Sequence, residues 1–161
     1  MRLSFRHNDR KVELDADPLA RLIDVLRAEF RLFGAREGCG EGECGSCTIL
    51  FNGLPAASCL LFAGQADGAE IRTAEGLDGT TAKAVKEAFL ASGAVQCGFC
   101  TPGMLVSAYH LLVSAPDPSE SDIRLALSGN LCRCTGYVRI IQAVREAAGR
   151  LGTVARGGSL E

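Results

Sequence analysis

Eight cysteines fall in two compact groups along this chain of 161 residues, and their spacing limits what it can fold into more than any other feature. The first group is Cys39, Cys44, Cys47 and Cys59, a C-x4-C-x2-C run with a fourth cysteine twelve residues on. The second is Cys97-Gly98-Phe99-Cys100 together with Cys132-Arg133-Cys134. Disulfides belong to oxidising compartments and dense secreted scaffolds. The N-terminal Met1-Arg2-Leu3-Ser4-Phe5-Arg6-His7 has no signal-peptide pattern and no twin-arginine pair, so a cytoplasmic location is expected. Metal ligation is then the leading reading, ahead of disulfides and of inert buried thiols.

The first group matches the plant-type spacing for 2Fe-2S clusters. An oxidised centre of two ferric ions, two sulfides and four thiolates carries a net charge of about −2. Gly38, Gly40, Gly42 and Gly45 let the loop turn backbone N–H groups toward such an anion. A four-thiolate zinc site is the competing reading, but zinc usually sits between two compact C-x2–4-C knuckles. Gly40-Glu41-Gly42-Glu43-Cys44-Gly45 also satisfies G-x-G-x-x-G, yet the expected strand after it, where a helix is required, excludes dinucleotide binding. Glu41 and Glu43 read as a solvated loop tip and not as catalytic carboxylates.

Taken alone, Cys97 and Cys100 resemble a redox-active dithiol at a helix start. Both pairs, however, lead into the same device: Thr101-Pro102-Gly103 after Cys100, and Thr135-Gly136-Tyr137 after Cys134. Each pair therefore precedes a helix N-terminus, where free N–H groups favour negative charge. A C-x-C pair can hold one iron of a binuclear centre but strains a mononuclear zinc site, so a second 2Fe-2S cluster is expected here.

Charge and hydropathy narrow the partners. Lys and Arg total 17 against 19 Asp and Glu, a net charge of −2, which leaves no cationic excess for nucleic acid. Hydrophobic residues make up 47% of the chain, but no apolar run approaches the roughly 20 residues of a membrane span. His7 and His110 lack a ligand pattern and read as half-exposed side chains on a strand and a helix.

The first half reads as mixed β with one helix. Leu3, Phe5 and His7 alternate before Asn8-Asp9-Arg10, and Val12 and Leu14 resume the alternation, which predicts a hairpin. Asp17 as N-cap and Pro18 predict a helix with Leu19, Leu22, Ile23, Leu26 and Phe30 on one face. Strands are expected over 48–51 and 54–61 around Asn52-Gly53, which places Cys59 on the far strand. Helices follow over 80–92, 102–114, 119–128 and 137–151, with a capping box from Ser119 to Asp122. The boundary is expected in Glu75-Gly76-Leu77-Asp78-Gly79. This divides the chain into 1–76, 77–151 and a frayed tail over 152–161. The fold class is α+β.

Gly38-Cys39-Gly40-Glu41-Gly42-Glu43-Cys44-Gly45-Ser46-Cys47, Gln96-Cys97-Gly98-Phe99-Cys100-Thr101-Pro102-Gly103-Met104 and Gly129-Asn130-Leu131-Cys132-Arg133-Cys134-Thr135-Gly136-Tyr137 resemble the iron-sulfur subunit of the molybdenum hydroxylases. That family includes xanthine dehydrogenase, aldehyde oxidase and carbon monoxide dehydrogenase. The resemblance spans residues 2–150. It implies a ferredoxin-like β-grasp domain and a four-helix bundle with pseudo-twofold symmetry, each holding one 2Fe-2S cluster. It implies a large molybdenum-pterin subunit and a medium FAD subunit as partners, in a dimer of heterotrimers. It also implies a relay from the pterin through the cluster of Cys97, Cys100, Cys132 and Cys134, then that of Cys39, Cys44, Cys47 and Cys59, to the flavin. Gln96 matches the residue that hydrogen-bonds the pterin. Ser46 stands where the family often has alanine, and Lys83-Ala84-Val85 replaces a frequent His-Pro pair. A free-standing electron carrier and a zinc-bound interaction module remain the alternatives.

Overall fold

The structure, a computed structural model, describes residues 1–155, with side chains through Thr153. The N-terminal alternation forms the expected hairpin: β1 (Arg2–His7) pairs antiparallel with β2 (Arg10–Asp15), Leu3 opposite Leu14 and Phe5 opposite Val12. Asn8 and Asp9 make the turn at positive φ, a conformation their side chains tolerate. Leu3, Phe5 and His7 point inward. His7 is therefore buried and not half-exposed, because it ends the inward face of β1 with its ring 4.4 Å from that of Phe30.

The first helix starts later than Pro18. The Asp17 carboxylate accepts from Leu19 N–H, and the Asp17 carbonyl from Ala20 N–H, which closes a separate turn. Arg21 then bridges to Phe62, and Leu22 N–H bonds the Leu61 carbonyl, so α1 (Leu22–Ala28) begins only after that contact. Leu19 points into solvent and Phe30 lies beyond the helix, against Phe5 and His7. Leu22, Ile23, Val25 and Leu26 are the buried stripe.

β3 (Thr48–Phe51) and β4 (Leu54–Ala57) flank Asn52-Gly53, both at positive φ. β4 ends at Ala57, four residues short of the expected Leu61. Ser58 bonds the Cys47 carbonyl through both its N–H and its hydroxyl, and Leu60 N–H turns back to Ala57. Cys59 consequently sits in the turn after the hairpin and not on its far strand. A short strand that periodicity could not announce, β5 (Glu70–Arg72), runs parallel to β1 and antiparallel to β3. The sheet order is β2-β1-β5-β3-β4, and α1 packs its stripe into the apolar cluster of Leu3, Phe5, Ile49 and Ile71.

Four further helices follow: α2 (Gly79–Ala91), α3 (Thr101–Ser114), α4 (Glu120–Leu127) and α5 (Val138–Ala155). Each starts within one residue of its expected position. Ser119 caps α4 reciprocally with Asp122. α5 continues past Gly152 to Ala155, and the rest of the expected tail lies outside the described residues. α2 packs on α3 and α5, and α4 on the same two, around Phe89, Met104, Leu112, Ile123, Ile140 and Val144.

The two cores meet across a seam of Leu50, Leu77, Ala82 and Val106. Beside it the backbones touch. A Cβ at Gly45, which sits at φ +67, would collide with the Gly129 carbonyl, and one at Gly103 with the Gly45 carbonyl. Asn130, 3% exposed, fastens this contact. Its Nδ2 donates to the Gly45 carbonyl (2.9 Å) and to Thr48 Oγ1 (3.2 Å), while its Oδ1 accepts from Ser107 Oγ (2.6 Å). Truncating it removes three buried hydrogen bonds, each worth about 1 kcal/mol, and leaves the Ser107 hydroxyl unpaired, while the Gly45 carbonyl and the Thr48 hydroxyl keep their bond to each other. Asn130→Ala is expected to lose about 3 kcal/mol of stability in denaturant unfolding; a loss below about 0.5 kcal/mol, the scale of an ordinary surface substitution, would show that the seam stands without it.

Candidate metal centres

The first cysteine loop leads into β3 and folds around its own N–H groups. Cys39 Sγ accepts from the N–H of Glu41 and of Cys44, both at 3.4 Å. The Glu41 N–H first, and the Cys44 N–H next, hold the Cys39 thiol down to about 7. Gly40, Gly42 and Gly45 take positive φ to make these turns, whereas Gly38 is needed for space: a Cβ there would lie 2.8 Å from Cys44 Sγ. Cys47 and Cys59 are buried. Burial first, and the facing Cys47 thiol next, push Cys59 up to about 11. Glu41 and Glu43 are exposed, as a solvated loop tip should be.

The second set lies between helices. Cys100 is the N-cap residue of α3 and Pro102 occupies its first turn; Cys132 and Cys134 lie in the loop from α4 to α5. Cys97 and Cys134 bring their sulfurs within 3.5 Å. Thr135 donates its hydroxyl to Cys132 Sγ at 3.1 Å, and Tyr137, itself at φ +67, accepts the Cys132 N–H on its phenol oxygen at 2.8 Å. Cys132 lies below the usual thiol range even though burial opposes the shift, because Thr135 donates to it through side chain and backbone. Burial first, and then Cys132, push Cys100 up to about 12. Cys134 is raised chiefly by its bond with Cys97.

These thiols meet two and two: Cys39 with Cys44, Cys47 with Cys59, Cys97 with Cys134, and Cys100 with Cys132, so the C-x-C pair is divided between two partners instead of sharing one iron as its spacing suggested. Among the described residues no three His, Cys, Asp or Glu side chains close around a single ion. Pairwise convergence fits a binuclear centre, in which each iron takes two thiolates, better than one tetrahedral zinc. A cleft of about 340 Å³ lies between the sets, lined by Cys39 and Cys44 on one side and all four cysteines of the second set on the other. Across the junction, Leu131, which immediately precedes Cys132, donates its N–H to the Cys44 carbonyl at 2.9 Å. Gln96 is exposed next to the exposed Cys97.

Residues 73–145 match the family model for the [2Fe-2S] binding domain. The chain is 52% identical over 150 residues to the nicotinate dehydrogenase small FeS subunit of Eubacterium barkeri, covering 92% of this chain and 95% of that protein. This chain belongs to the iron-sulfur small subunits of the molybdenum hydroxylases. The subunit is also 46% identical over 145 residues to the nicotine 6-hydroxylase small subunit of Paenarthrobacter nicotinovorans, covering 90% and 88% of the two chains. Its fold superposes on a chain of the crystal structure of quinoline 2-oxidoreductase from Pseudomonas putida 86 with a TM-score of 0.88 and 43% identity, over 99% of this subunit and 98% of that chain.

Beyond the cysteines, the subunit places Arg36, Asn130, Thr135 and Tyr137 against the two loops. Sequence reading assigned none of them a role. Their signal was adjacency, since polar side chains within a few positions of a ligand can turn back on it, but spacing does not say which ones do.

Two outcomes follow from this shell. A hydroxyl donating to a thiolate stabilises a reduced, more negative cluster, so with Cys132 as an iron ligand Thr135→Val is expected to lower the midpoint of the cluster it holds in an EPR-monitored redox titration and leave any other in place. Cys59 and Cys100, raised to about 11 and about 12, are neutral thiols at pH 7 in the iron-free chain. As iron ligands they would have to lose their protons, so iron uptake would strengthen as pH rises toward those values and weaken as it falls. Anaerobic reconstitution in a pH-stat should release acid at neutral pH; no release would contradict the protonation states.

Proposed function

We propose that the subunit carries electrons within a molybdenum hydroxylase and that Cys39, Cys44, Cys47 and Cys59 hold one 2Fe-2S cluster in a ferredoxin-like β-grasp unit, residues 1–76. Cys97, Cys100, Cys132 and Cys134 hold a second in a four-helix bundle with local pseudo-twofold symmetry, residues 77–151. The repeat of helix, cysteine pair, helix in α2–α3 and α4–α5 supports the symmetry. When bound, each cluster accepts and passes on one electron. The residues of this chain supply the cages, the N–H donors that neutralise them, and the fixed spacing between them.

The hydrogen bond from Leu131 N–H to the Cys44 carbonyl carries this reading. It runs from the residue before one proposed ligand to another proposed ligand, a covalent and hydrogen-bonded path from set to set. Exposure supports the relay order that the family resemblance implies. Cys97 and Cys134 reach the surface beside Gln96, while Cys47 and Cys59 are buried. Electrons enter at the second set from a molybdenum-pterin cofactor in the large subunit, with Gln96 as this chain's contact to the pterin. They leave from the first set toward FAD in the medium subunit. A dimer of such heterotrimers in the cytoplasm completes the proposal. Among the described residues no helix is long and apolar enough to cross a membrane. The nitrogen heteroaromatics named in the relatives above are the first substrate class to assay with the complex.

Anaerobically purified complex should contain two irons per cluster in this chain and give two EPR signals on reduction. Cys100→Ser should remove one signal and Cys47→Ser the other. Both signals surviving in either variant, or zinc in place of iron, would overturn the assignment. Gln96→Ala should slow electron entry from the large subunit while leaving both signals unchanged.

A further inference from the structure

Two exposed phenylalanines share one arrangement, and each half of the chain supplies one of them. Phe33, 55% exposed, follows α1, and Phe99, 45% exposed, lies between Cys97 and Cys100. The Arg27 guanidinium stands 5.3 Å from the centre of the Phe33 ring and that of Arg36 5.7 Å from the centre of the Phe99 ring, both within reach of a cation–π contact. Each guanidinium is pinned by one bond to a backbone carbonyl, Arg27 to Ala35 at 2.9 Å and Arg36 to Gly98. These four side chains and Glu37 line a hollow of about 360 Å³.

The charge in the hollow is unbalanced. Among the described residues Glu37 is the one carboxylate that lines it, and Arg21 holds both of its oxygens, at 2.6 and 3.0 Å. Neither Arg27 nor Arg36 has a carboxylate within ion-pair distance among the described residues. A guanidinium has about five N–H donors, and one carbonyl bond leaves most of them unspent. A ring against the face and a carbonyl at the side already fix each fork, so little rotamer freedom remains to be lost when a carboxylate arrives. A compact dianion such as phosphate would crowd against Glu37. Carboxylates spaced along a peptide can reach each guanidinium separately, and apolar side chains beside them can cover the rings. Aromatic residues and arginine are also the side chains that protein interfaces favour.

The hollow is continuous with the surface assigned above to the large subunit, since Phe99 shares an exposed loop with Gln96 and Cys97. We propose that it seats an acidic segment of the large subunit, with carboxylates on the Arg27 and Arg36 guanidiniums and apolar side chains on the Phe33 and Phe99 rings. The inference rests on the reading that Gln96 faces that subunit.

The intact complex provides the test. Arg27→Gln and Phe33→Ala alter side chains that bond to neither cysteine set, so both EPR signals are expected to persist. Each substitution is expected to weaken the hold of the large subunit on this chain roughly tenfold, the scale of an interface hot spot, in sedimentation of the purified complex. Arg27→Gln should also flatten the salt dependence of that dissociation. In Arg27→Lys, a carbodiimide should couple the introduced amine to an Asp or Glu of the large subunit, located by mass spectrometry. Links only to the medium subunit, links confined to this chain, or unchanged dissociation in either variant would overturn the proposal. Should Arg27→Gln lose an EPR signal, Phe33→Ala carries the measurement. Wild-type complex in which this chain binds no large subunit would instead defeat the functional reading on which the site rests.

Discussion

The hydrogen bonds from Asn130 to the Gly45 carbonyl and from Leu131 to the Cys44 carbonyl fasten the second cysteine loop directly to the first. Each half of the chain has its own apolar core, and packing alone would let the halves settle at many angles. Buried polar bonds are directional and costly to leave unmade, so they select one arrangement where apolar contact would tolerate several. The glycines at 45 and 103 exist for this junction, because any side chain there would hold the backbones apart. Electron transfer depends steeply on distance, and this is the place where the distance is set.

The negative charge of the proposed clusters accounts for much of what surrounds the cysteines. The first loop answers it with backbone N–H groups turned inward by glycines at positive φ. The second answers with the start of α3 and the Thr135 hydroxyl. The solutions differ because the scaffolds differ: a loop entering a sheet has free amides to spend, whereas helices offer their first turns.

The cysteine spacing and the helical periodicities were enough to place the four helices of the second half, since 3.6-residue patterns with a capping box and Pro102 leave little freedom. Residues 18–30 were harder. Pro18 and Asp17 have the chemistry of a helix start, but the contact of Arg21 with Phe62 is non-local and overrides it. Cys59 was misplaced for the same reason, because Ser58 is drawn to the Cys47 carbonyl by a bond that no local pattern announces. β5 is three residues long and shows no period at all. The eight cysteines stood out in the sequence, while the residues that orient them did not: Asn130 and Arg36 act across 85 and 62 positions of chain.

The closeness of Cys97 and Cys134 carries a cost for the newly made polypeptide. With sulfurs 3.5 Å apart at the surface and one thiol already inclined to ionise, the empty site is a short oxidation away from a disulfide. Closing that bond would consume both thiols that meet at this end of the proposed site and bar metal insertion there. The order of biosynthesis is thereby constrained: loading must precede exposure to oxidants.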